Sequence, residues 1–121
     1  MIIKLIEKYS NLFTSWKIIE YGQDGPNLRL KAEFEFSDGS RFFVRQVILN
    51  EFTFKYAYHW QDKEGQLRCR WDNAPHWPDM STHPHHKHIM TGREISVEAS
   101  KGGDLEAIFE EIAQFFSNAQ R

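Results

Sequence analysis

Two runs of strict alternation constrain this chain more than anything else in it. From Leu28 to Phe36, the apolar Leu28, Leu30, Ala32, Phe34 and Phe36 alternate with the charged Arg29, Lys31, Glu33 and Glu35. From Phe52 to Trp60 the aromatic series Phe52, Phe54, Tyr56, Tyr58 and Trp60 alternates in the same way. Successive side chains leave a strand on opposite faces, so a period of two means a strand with one face buried. A shorter run, Leu67, Cys69 and Trp71, repeats the pattern. Turn chemistry separates these segments: Tyr21-Gly-Gln-Asp-Gly-Pro26, Ser37-Asp-Gly-Ser40 and Asp62-Lys-Glu-Gly65.

The turns imply registers. A two-residue loop, Asp38-Gly39, would set Phe36 opposite Arg41. A three-residue loop, Asp38-Gly39-Ser40, sets Phe36 opposite Phe42, Phe34 opposite Val44 and Leu30 opposite Ile48. The second keeps apolar residues on one face, and it places Gln46 in the core opposite Ala32. In the next hairpin a four-residue loop pairs Trp60 with Leu67, Tyr58 with Cys69 and Tyr56 with Trp71. Its other face then sets His59 across from Arg68, Ala57 across from Arg70 and Lys55 across from Asp72. That face is cationic, with one carboxylate at its end.

The flanking segments complete the fold. Residues 2–9 predict a short helix with Ile2, Ile3, Ile6 and Tyr9 on one stripe. Trp16 to Tyr21 reads as a strand, as does Arg93 to Ala99. Asp104 is a candidate N-cap for a last helix whose stripe is Leu105, Ile108, Phe109, Ile112, Phe116 and Ala119. With 121 residues, 40% apolar and 26% charged, the chain is expected to be a single domain spanning 1–121. The expected class is α+β: an antiparallel meander of five to six strands, packed on one face by the C-terminal helix and the short N-terminal helix.

Net charge is only −2, so bulk charge points to neither nucleic acid nor membrane. The distribution is uneven, however. Residues 52–93 hold all six histidines and six Lys/Arg against four acids, a formal +2. The rest carries nine Lys/Arg against thirteen acids, a formal −4. A basic, titratable centre in an acidic body suits an anionic ligand. Asn73 to His88 is a stretch without periodicity that holds Pro75, Pro78, Pro84, Trp77, Met80 and five of the histidines. It reads as an ordered loop docked on the body. A lone Cys69 and an N-terminus broken by Glu7 and Lys8 fit a cytoplasmic protein with no membrane segment.

The run from Tyr58 to His88 resembles the TumE family of toxins from bacterial and archaeal toxin–antitoxin operons. The matching pieces are Tyr58-His-Trp-Gln-Asp62, Arg70-Trp-Asp-Asn-Ala-Pro-His76 and His83-Pro-His-His-Lys-His88. The Ser37-Asp38-Gly39 turn and the acidic C-terminal helix agree in order, so the likeness spans most of the chain. It implies a small intracellular toxin encoded beside a helix-turn-helix antitoxin.

The residue types suggest phosphodiester chemistry on RNA. Metal-free cleavage needs a base for the 2′-hydroxyl, an acid for the leaving 5′-oxygen and cations around the phosphate. Imidazoles suit the first two roles; Arg and Lys suit the third. The candidate catalytic residues are His59, Asp72, His76, His86 and His88, with Asp72 orienting one imidazole. The candidate phosphate contacts are Lys55, Arg68, Arg70 and Lys87. No cofactor is expected. The alternatives are a binding module whose loop docks antitoxin or RNA, and a metal protein. In the metal reading His83, His85, His86 and His88 would hold Zn²⁺, Ni²⁺ or Cu²⁺, with Asp72 or His76 completing the site. The expected partners are the antitoxin and RNA, with a homodimer left open.

Overall fold

Among the described residues, the buried apolar members of the alternating runs leave the sheet on one side, and the two helices cover that side. The computed structural model describes residues 2–50 and 53–119. Its elements are α1 (Ile2–Lys8), β1 (Phe13–Asp24), β2 (Asn27–Phe36), β3 (Arg41–Leu49), β4 (Thr53–Gln61), β5 (Leu67–Asp72), β6 (His86–Thr91), β7 (Glu94–Ala99) and α2 (Leu105–Ala119). The strands form one sheet in sequence order, and each neighbouring pair is antiparallel. Phe34, Phe36, Phe42, Tyr58 and Trp71 meet Phe109 and Ile112 of α2 in the fully buried centre. Phe42 packs edge-to-face on Trp71 and on Phe109, at ring separations of 6.2 and 5.4 Å. The start of α2 comes close because residue 103 is glycine: a Cβ there would collide with Tyr56. The Tyr58 hydroxyl donates to the Gly103 carbonyl at 2.7 Å, and Asp104 caps the helix by accepting from the Glu106 amide at 3.2 Å.

The α+β class and both helices match expectation, but the sheet has seven strands instead of five to six. The additional strand is β6, which begins at His86 inside the segment read as a loop. His86-Lys-His-Ile-Met-Thr has no clean apolar alternation, because its open-face positions are histidines and Lys87 occupies a covered-face position. Backbone pairing with both neighbours, not an apolar period of its own, makes it a strand. The true loop is residues 73–85, and it is built from successive turns closed by backbone bonds such as Met80 N–H to the Trp77 carbonyl. It is tied down where Thr82 Oγ1 accepts from the Ser100 amide at 3.1 Å.

Both hairpin registers differ from expectation by two residues in the sum, which preserves the faces except at the bulge in the second hairpin. The first loop is Ser37-Asp38-Gly39, so Phe34 pairs with Phe42, Ala32 with Val44 and Leu30 with Gln46. Gly39 takes the left-handed φ of 83° that ends a three-residue loop, and the Asp38 carboxylate binds the Ser40 amide and hydroxyl. In the second hairpin Asp62 closes the turn by accepting from the Glu64 and Gln66 amides, and a bulge follows at Trp60/Gln61. His59 therefore faces Arg70, not Arg68, and Ala57, not Lys55, faces Asp72. Ile3, placed on the buried stripe of α1, is exposed, and Phe54 is only half-covered. Phe52 and the side chain of Ala119 lie outside the described residues.

Candidate functional site

On the uncovered face, the β5–β6 ladder sets Arg70 beside His88 and Asp72 beside His86. The Asp72 carboxylate is the centre of this group. One oxygen lies 2.9 Å from His86 Nε2 and also accepts from the Ala74 amide at 3.0 Å, an Asx turn that starts the loop. The other lies 3.4 Å from Arg70 Nε and 3.7 Å from His88 Nε2. His86 is buried, and its Nδ1–H donates to the Pro84 carbonyl at 3.0 Å. That bond fixes the ring, so Nε2 reaches the carboxylate through a shared proton.

Arg70 links this group to His59, whose Nδ1 is 3.4 Å from the guanidinium. Burial holds His59 below the ordinary imidazole range, and Arg70 adds to that, against a hydrogen bond to Gln61. Burial also lowers His88; the Asp72 carboxylate opposes the shift, while His86 and Arg70 reinforce it. The end of β5 is anchored by Asn73, which accepts from the Tyr56 amide at 3.1 Å and donates to the Phe54 carbonyl at 2.6 Å. Tyr56 is pushed up to about 12 by burial and by Asp72, so it stays a neutral phenol. Its hydroxyl lies 2.7 Å from His85 Nδ1.

An open cavity of ≈ 590 Å³ lies over the group. Asp72, His86, His88 and Arg70 line its floor; Lys55 stands on one side, and the loop supplies His76 and Trp77 on the other. The Trp77 ring is 41% exposed and sits edge-on to His86 and His88 at 6.4 and 6.5 Å. A neighbouring depression of ≈ 320 Å³ shares Arg70 and Ala57 with this cavity and is lined by His59 and Arg45.

Seven of the residues singled out in the sequence thus come together: Lys55, His59, Arg70, Asp72, His76, His86 and His88. Four do not. Arg68 turns to the helix side at the bulge, bonded to Asp38 at 2.7 Å and lying over the Trp60 and Phe115 rings. Lys87 also faces the helices, 3.5 Å from Glu111 of α2. His85 points to that side too, stacked on Tyr56, and His83 is exposed on the loop away from the cavity. The four-histidine metal set is therefore split, and only His86 and His88 remain near one another. Trp77 and Asn73 were missed, although both sit in the same Asp72-to-Trp77 run as two chosen residues.

A sheet with one covered face and one bare face, the bare one carrying imidazoles, a carboxylate and a guanidinium over a cavity, defines a small α+β protein with an open polar face. Residues 2–119 match the family model described as Toxin TumE, and the chain belongs to that family, the toxins of toxin–antitoxin modules. Neither the curated proteins nor the solved structures gives a match. Among the described residues no helix is long and apolar enough to cross a membrane.

Proposed function

We propose that this toxin is an endoribonuclease that works without metal, at the cavity floored by Asp72 and His88. The observation that carries the reading is the convergence of proton carriers and anion grips in one open space. Arg70 and Lys55 hold the scissile phosphate. His88 accepts the 2′-hydroxyl proton as the 2′-oxygen attacks phosphorus, and His76 on the loop wall donates a proton to the departing 5′-oxygen. The products are a 2′,3′-cyclic phosphate and a free 5′-hydroxyl. His86 is too buried to meet substrate; with Asp72 it fixes the floor and positions His88. His59 steadies Arg70 from behind.

The antitoxin in this reading is a helix-turn-helix protein, and both act in the cytoplasm. Expression of the toxin alone is expected to arrest growth and degrade RNA, and co-expression of the antitoxin relieves both. His88→Ala and His76→Ala each abolish arrest and RNA loss while the purified variants keep the wild-type circular dichroism. If folded variants remain toxic, the toxin acts by binding and the cleavage reading fails.

A further inference from the structure

We propose that Asp72, His86 and His88 form a binding site for a first-row transition-metal dication, and that occupancy switches cleavage off. One ligand atom from each residue lies within 4.8 Å of the other two. The closest pairs are His86 Nε2 to Asp72 Oδ1 at 2.9 Å and His88 Nε2 to Asp72 Oδ2 at 3.7 Å. Donors around a zinc-sized ion bonded at about 2.0–2.2 Å lie roughly 3 Å apart, so a bound ion draws together donors that now lie within 4.8 Å of one another. The Nδ1–H bond of His86 to the Pro84 carbonyl is the outer contact that aims a ligating imidazole. All three residues project from paired positions on two adjacent strands, which holds their spacing.

Two imidazoles and one carboxylate favour Zn²⁺, Ni²⁺ or Cu²⁺ over Mg²⁺ or Ca²⁺. The exchange is simple: the dication enters and the proton shared by His86 and Asp72 leaves. The cavity side of the trio stays open, and Arg70 beside it favours an anion as the remaining ligand. An ion here occupies the His88 imidazole, the ring that the cleavage reading uses as proton acceptor. The inhibitory half of the proposal rests on that reading; the binding half does not.

The test uses the full chain, purified without a histidine tag and stripped with EDTA. Calorimetric titration with Zn²⁺ is expected to show one ion per chain, and Co²⁺ is expected to give a visible absorption band. His88→Ala weakens Zn²⁺ binding about tenfold or more and removes the band, whereas His83→Ala and His85→Ala bind like wild type. Asp72→Asn is the second variant, read by the same band. Binding that is substoichiometric, or that depends on His83 or His85 instead, overturns the site. RNA cleavage is expected to fall with Zn²⁺ occupancy and return with chelator. If Zn²⁺ binds at the trio and cleavage rises, the site stands and metal-independent cleavage is overturned. Cleavage indifferent to a bound ion overturns the switch.

Discussion

Trp71↔Lys87 and Asp72↔His86 are consecutive rungs of the same ladder, yet they belong to different halves of the molecule. The first rung faces α2, where Glu111 accepts from the Trp71 indole at 3.0 Å and pairs with Lys87. The second faces the open cavity, where carboxylate and imidazole satisfy each other. A step of one residue along a strand exchanges a packing role for a chemical one. Charge alone therefore says little about a residue here. Lys87 sits between His86 and His88 in sequence, but the pleat puts it on the opposite face.

The two faces are expected to fail differently. Phe109→Ala on the covered side removes a fully buried ring at the centre of the core and is expected to cost about 3–5 kcal/mol in chemical denaturation. Toxicity there falls only as far as the folded fraction falls. Asp72→Ala leaves His86 buried with no partner for Nε2, and about 3 kcal/mol of stability is lost. Replacing both, Asp72→Leu with His86→Leu, restores most of that stability but not the toxic function. A double variant as unstable as the single one would mean that the pair shapes the core, not the cavity.

Smaller effects sharpen the same contrast. Lys87→Ala changes stability by under about 1 kcal/mol, because its ion pair with Glu111 is partly solvated. The pH series gives the finest distinction. His59 prefers to be neutral in the fold, while the unfolded chain takes up a proton near pH 6.5. Its contribution to stability is complete above about pH 6.5 and declines as pH falls toward the folded value. His59→Gln is expected to flatten the fall in denaturation free energy between about pH 7 and pH 5; an unchanged slope would assign that titration to other groups.

The covered face was legible in the sequence because burial writes itself as periodicity. Leu30, Phe34, Phe42, Tyr58, Trp60 and Trp71 are apolar at alternate positions, and all are buried. Even the shifted registers left each of them on its expected side. The open face was legible on the β4–β5 hairpin, where alternation set Lys55, His59, Arg70 and Asp72 on one side, and beyond Asp72 only as a residue inventory. Nothing in His86-Lys87-His88 marks a strand, so β6 was hidden, and with it the rule that sends Lys87 away from its neighbours. Arg68 was misplaced because a bulge at Trp60/Gln61, set by how Asp62 binds its own turn, inverts the side it faces. Trp77 gave no signal beyond its position next to His76, since an exposed indole on a loop has no period to follow.

The most direct measurement compares purified Arg70→Ala with Lys87→Ala in an RNA-cleavage assay containing EDTA. The two cations lie on adjacent strands and on opposite faces of one sheet. Cleavage is expected to drop by about a hundredfold or more in Arg70→Ala, and to stay within about twofold of wild type in Lys87→Ala. Equal loss in both variants, or full activity in folded Arg70→Ala, would contradict the assignment of the chemistry to the uncovered face.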